Sequence, residues 1–219
     1  MPKLLLTVVL FLIPHLAGAI PVSVDLTVSN ENLGLPAGTV YATVVWDVVG
    51  TTATFNVDVN NAVLTGGTNF GIQDFYLNTN IATLDAGDFT LPSGWGVLFN
   101  RQAGGGFGTF DINTGDAAGG GQNRYDPVTF TITDAGINAT SQFFFLSDLP
   151  AGNGQGYFAA HIAGFNELNG QTSAFFRDGG VTSSPTPVPE PASLVLSGLG
   201  LAALAFLRRQ PADRVADRV

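Results

Sequence analysis

The chain has 219 residues, with 17 acidic side chains against 8 basic ones, a formal net charge of −9 and no cysteine. Such a balance repels phosphate backbones and excludes nucleic-acid binding, while the missing thiols exclude disulfides, thiolate metal sites and cysteine catalysis. Twenty-eight glycines imply many turns, and 17 phenylalanines argue against disorder.

Met1 to Ala19 carries one positive charge at Lys3, an apolar run from Leu4 to Ile13, and Ala17-Gly18-Ala19. A charged start, an apolar stretch and small residues before the cut make a secretory signal peptide, cleaved after Ala19. Signal peptidase and the general export machinery are therefore expected partners. The segment 20–184 holds 14 acidic side chains opposed only by Arg101, Arg124 and Arg177, a charge of −11 without any lysine. An anionic lipid surface should not attract it.

Residues 20–180 read as one antiparallel domain. Val22–Val28 alternates, with Val22, Val24, Leu26 and Val28 on one face. Thr39–Val49 sets Ala42, Val44, Trp46 and Val48 on one side. Gly50 marks a turn, and Thr52–Val59 then alternates Phe55, Val57 and Val59 with Thr54, Asn56 and Asp58. Period-two patterning on both sides of a tight break predicts a hairpin with Val44, Trp46, Phe55 and Val57 inside. Further strands are expected at Phe70–Leu77, Trp95–Asn100, Gly108–Ile112, Val128–Thr133, Gln142–Ser147, Gly156–Ile162 and Ser173–Arg177, with loops at Gly104–Gly106 and Gly119–Gly121. Short strands at roughly ten-residue spacing imply a mainly β fold, an antiparallel β-sandwich of jelly-roll type. The 181–187 stretch is a Pro/Ser/Thr linker, extended and stiff.

Few residues in this domain suggest chemistry. Asp111-Ile112-Asn113-Thr114-Gly115-Asp116 offers three oxygen side chains around a glycine, which suits either calcium or a plain Asx turn between strands. No acidic residue follows to complete a calcium loop. His161 is the one histidine outside the signal segment, and strand parity sets it opposite Phe158, Ala160 and Ile162. A structural, hydrogen-bonded role is the expectation there. Trp46, Trp95, Tyr41, Tyr76, Tyr125 and Tyr157 are candidates for a sugar-stacking platform, although Trp46 fits the core and Trp95 is either a buried strand-start anchor or an exposed part of that platform. Gly-x-Ser-x-Gly is absent. No catalytic, cofactor-binding or metal-binding residue is expected.

The tail carries the most specific pattern. Val188-Pro189-Glu190-Pro191-Ala192-Ser193 precedes an apolar run from Leu194 to Leu207, and Arg208-Arg209 closes it. Ala192 to Leu207 is 16 residues without charge. As a helix it spans about 24 Å at ~1.5 Å per residue, short for a ~30 Å hydrocarbon core. The arginines should stay cytoplasmic. A tail of residues 210–219 follows, with Ala-Asp-Arg-Val repeated at 212–215 and 216–219.

This order of parts at 188–209 resembles the C-terminal signal of the PEP-CTERM proteins, exported bacterial proteins handled by the membrane enzyme exosortase. The resemblance implies cleavage near Val188–Pro191 in a protein of a Gram-negative-type bacterium. It also implies a transient inner-membrane anchor through the C-terminal hydrophobic helix, then delivery to the cell surface or matrix. Leu91-Pro92-Ser93-Gly94-Trp95, Phe107-Gly108-Thr109-Phe110-Asp111, Val128-Thr129-Phe130-Thr131-Ile132 and Phe158-Ala159-Ala160-His161-Ile162-Ala163-Gly164 are similar to the ectodomain of many such proteins, which bears on fold and location only. The leading expectation is a non-enzymatic structural or adhesive envelope protein associated with exopolysaccharide or biofilm. A carbohydrate-binding module, with or without calcium, and a secreted glycan-processing enzyme stand as alternatives.

Overall fold

Alternation decides the first hairpin. β1 (Val22–Ser29) is followed by β2 (Ala42–Val49) and β3 (Thr52–Val59), and β2 pairs β3 antiparallel from Ala42↔Val59 to Val49↔Thr52. Gly50, at φ +61°, supplies the positive backbone angle that a two-residue hairpin loop needs. Val44, Trp46, Phe55 and Val57 are all buried, as the period-two pattern predicts.

A computed structural model describes residues 20–103, 105–179 and 186–187. The expected signal helix with Ala17 and Ala19, the motif Val188, Pro189, Glu190 and Pro191, the apolar helix and Arg208 and Arg209 all lie outside the described residues. After β3 come β4 (Gly66–Leu77), β5 (Phe89–Thr90), β6 (Trp95–Gln102) and β7 (Thr109–Asp116). Then follow β8 (Val128–Thr133), β9 (Phe158–Leu168), β10 (Gln171–Asp178) and β11 (Thr186–Pro187). Strand accounts for 50% of the structure and helix for 4%, which makes the domain mainly β.

The strands do not divide into the two stacked sheets of a sandwich. One antiparallel sheet runs β5-β8-β3-β2-β1-β10-β9-β4-β7-β6, coiled until its ends nearly meet in a barrel-like shape. Across the interior, Trp46 of β2 lies 5.0 Å from the Phe158 ring of β9, and Phe55 of β3 lies 6.4 Å from Phe75 of β4. At the seam, Phe89 of β5 meets Phe99 of β6 edge-on at 6.1 Å. Alternation reveals which side of each strand is buried, and a coiled sheet and a sandwich bury the same side. The hydrogen bonds from β1 through β10 to β9 make the difference.

Two expectations change at the local level. Gln142–Ser147 is not a strand: a 3-10 turn at Thr140–Phe143 leads into a loop. Phe143 is fully buried and packs edge-on against Phe55 at 5.2 Å, while Phe144 stacks on Tyr157 at 3.7 Å. Trp46 donates its indole N–H to the Thr140 carbonyl at 3.0 Å, so these phenylalanines cap the barrel core instead of extending the sheet. The expected 181–187 linker ends in a paired segment, and residues 181–185 lie outside the described residues. Its last two residues form β11, which pairs Val22↔Pro187 and Ser23↔Thr186 along the part of β1 that β10 leaves free. Proline is tolerated at such a sheet margin, where its missing N–H is not needed.

Candidate functional site

The outer face of β10, β9, β4, β7 and β6 carries the unusual chemistry of this domain. Strand parity turns Phe158, Ala160 and Ile162 into the core and leaves Ala159 and His161 outside. A second apolar cluster forms there from Tyr76, Ala103, Phe107, Phe110 and Ala159, with Phe175 against it. Its cover is the loop after β6, held by the Ser147 hydroxyl bonding the Phe107 carbonyl and by the Arg177 guanidinium 5.5 Å from the Phe107 ring. Burial depresses the Arg177 pKa, and the neighbouring Asp178 opposes that effect.

His161 lies in register with Asp74 of β4, and its Nδ1 is 3.3 Å from Asp74 Oδ2. The imidazole stacks flat on Phe175, with ring centres 4.3 Å apart and planes 6° apart. Ring and carboxylate thus link three strands of the sheet. This fits the structural role expected of the lone domain histidine.

Beside this pair the face opens into a trough of about 370 Å³. Its floor comes from two glycines directly opposite one another, Gly96 of β6 and Gly115 of β7. Asp74 Oδ1 lies over Gly115 so closely that a Cβ there would sit 2.2 Å away. Tyr76 forms one wall, with Leu98 and Arg101 on the other and Asn113 between them. Tyr76 is 7% exposed, and its hydroxyl makes no hydrogen bond among the described residues. Burial, reinforced by the Asp74 charge and opposed by Arg101, raises its pKa well above the usual phenol value. Asn113 is equally buried and spends its amide on one long bond to the Phe75 carbonyl at 3.5 Å, the outer limit of a useful hydrogen bond. Leu98 is half exposed.

Asp116 closes one end of the trough. It accepts from the Asn123 side chain at 2.9 Å and from the Gln122 and Ala118 amides at 2.9 and 3.2 Å. The Asn123 bond leads these in holding its carboxyl below the usual carboxylate range. The loop it organises also anchors Trp95, whose indole N–H donates to the Asn123 carbonyl at 2.7 Å. Trp95 is buried and packs edge-on to Tyr125 at 6.1 Å. It is the strand-start anchor, not a sugar platform.

The Asp111–Asp116 stretch lies inside β7 and not in a loop, and only its last residue makes an Asx turn, with Asp116 Oδ1 accepting from the Ala118 amide two residues on. At ~3.3 Å per residue its two end carboxylates stand about 16 Å apart. Asp111 accepts from the Thr79 amide at 2.9 Å at one end of the strand, while Asp116 holds its own loop at the other. Among the described residues no group of three or more His, Cys, Asp or Glu side chains gathers as a metal site.

Sequence reasoning named Tyr76 as a sugar-stacking candidate and Asn113 as an oxygen of the Asp111–Asp116 stretch, but it did not bring them together with Arg101. Alternation within β4 would turn Asp74 and Tyr76 outward, but nothing local in the sequence pairs Gly96 with Gly115. Among the described residues no helix is long and apolar enough to cross a membrane, and the expected hydrophobic helix lies outside them. No curated protein and no solved structure matches the chain. Residues 187–210 match the family model of the PEP-CTERM protein-sorting motif, and the match begins at the residue where β11 ends. The chain carries a PEP-CTERM sorting motif, the mark of an exported protein that the membrane enzyme exosortase processes on its way to the cell surface.

Proposed function

We propose that the chain is a non-enzymatic structural or adhesive protein of the cell surface or extracellular matrix, with the barrel as its working ectodomain. The sorting motif carries this reading. Two features of the barrel support it. β11 holds the chain against the start of β1, so the end released by signal peptidase and the start of the sorting motif leave the domain side by side. A membrane-held export intermediate is thus tethered at one place. The His161–Asp74 pair is built into the sheet by stacking and register, a use that suits cross-strand support better than turnover. Exopolysaccharide is the expected neighbour of such a domain.

Fractionation in a producing host tests the reading. With exosortase present, the protein should accumulate at the surface or in the matrix. Deleting the exosortase should shift most of it to the inner-membrane fraction. An unchanged distribution would refute sorting by this route.

A further inference from the structure

We propose that the trough over Gly96 and Gly115 binds a neutral saccharide chain, its hydroxyls taken by Tyr76, Asn113, Arg101 and Asp74. The proposal deepens the surface-protein reading by giving the barrel a partner, and it relies on that reading for location only.

Four observations converge on a sugar. First, the trough holds polar groups with unused bonding capacity. The Tyr76 hydroxyl opens onto the trough without a protein partner among the described residues, and the Asn113 amide has one long bond, so both have bonding capacity left for something outside the chain. Both face the same cavity.

Second, the donor and acceptor set matches a polyol. A sugar hydroxyl both donates and accepts. Asp74 and the Asn113 carbonyl oxygen accept, the Arg101 guanidinium donates, and the Tyr76 hydroxyl does either. The carboxylate makes the bonds it accepts stronger than neutral ones.

Third, the charge balance points to a neutral ligand. Arg101 and Asp74 bring opposite charges to the same cavity. An anionic chain would meet Asp74, Asp116 and the −11 charge of the 20–184 segment. A cationic one would meet Arg101, which has no ion pair among the described residues.

Fourth, the shape fits a ring. Facing glycines leave a flat backbone floor, half-exposed Leu98 offers an apolar edge for sugar C–H groups, and about 370 Å³ falls in the usual range for a small-ligand site. The Tyr76 ring itself is packed against Phe110 and Phe175 at 5.8 and 6.3 Å. Recognition here therefore runs through its hydroxyl, not through ring stacking.

Affinity electrophoresis of the full chain provides the test, in gels containing laminarin, dextran, mannan or pullulan, with alginate as an anionic comparison. At least one neutral polysaccharide should retard the protein, and alginate should not. Tyr76→Phe removes one oxygen and leaves the packing intact, and Arg101→Ala removes an exposed side chain. Each should weaken the retardation roughly tenfold, the effect of ~1.4 kcal/mol. Leu98→Trp should abolish it by filling the trough. Circular dichroism melts matching the parent protein would confirm that the variants are folded. Absence of retardation by all four neutral polymers, retardation by alginate alone, or undiminished retardation of both Tyr76→Phe and Arg101→Ala would each overturn the proposal. Failure of surface sorting would leave these gel results unaffected, so the two readings fail separately.

Discussion

Replacing Phe55 with alanine should lower the unfolding free energy of the barrel by about 3–5 kcal/mol, the range for deleting a buried aromatic ring. Phe55 is fully buried and is the most connected ring in the core. It stacks on Phe130 at 5.0 Å and on Trp46 at 6.4 Å, and meets Phe143 edge-on at 5.2 Å. Phe75 and Phe158 lie 6.4 and 6.5 Å away. Those partners come from β8, β2, the capping turn, β4 and β9, so one deletion loosens both halves of the coiled sheet. Such dense packing leaves little room for collapse, and the cavity penalty should be retained in full. Urea denaturation followed by tryptophan fluorescence measures the change. A loss under about 1 kcal/mol, within the ordinary range for a surface substitution, would contradict this account of the core.

The second large effect concerns the trough floor. Gly115→Ala should destabilise the protein by about 1–3 kcal/mol, as overpacking does in tight sites. A Cβ at 115 would sit 2.2 Å from Asp74 Oδ1, 2.8 Å from the Gln73 carbonyl and 3.0 Å from Asp74 Cα. A side-chain oxygen can swing aside, but the two backbone atoms belong to the neighbouring strand β4 and can move only if the β4–β7 pairing shifts. Asp74→Ala should therefore rescue Gly115→Ala in part and not completely. A double-mutant cycle on melting curves reads the coupling. Full additivity would mean that Asp74 does not lie across the glycine as described.

Local pattern and long-range register contributed differently to what could be read from the residues. Val44, Trp46, Phe55 and Val57 were legible because strand alternation is a property of neighbours in sequence. So was the outward position of His161. Its partner Asp74 was not, since an 87-residue separation is bridged only when β4 and β9 fall into register. Phe143, Phe144 and Phe145 misled for a related reason. An unbroken aromatic run fits a buried strand and a capping plug equally well, and only the barrel opening beside Trp46 decides between them. Asn169–Gly170 is the kind of dipeptide that marks a hairpin turn: both residues have positive φ, at 50° and 84°, and they turn β9 into β10. The trough had no local signature at all. Its floor and walls come from three strands, and two plain glycines become a site only when they face each other.

Mass spectrometry of the mature C-terminus tests the central claim most directly. The motif match at 187–210 begins where the ordered pairing with β1 ends, so the processing enzyme would act immediately beyond the folded domain. Surface material from the producing cell should end near Val188–Pro191, and Pro189→Ala with Glu190→Ala should block that trimming. Intact peptides reaching Val219 in surface material, unchanged by those substitutions, would contradict the account.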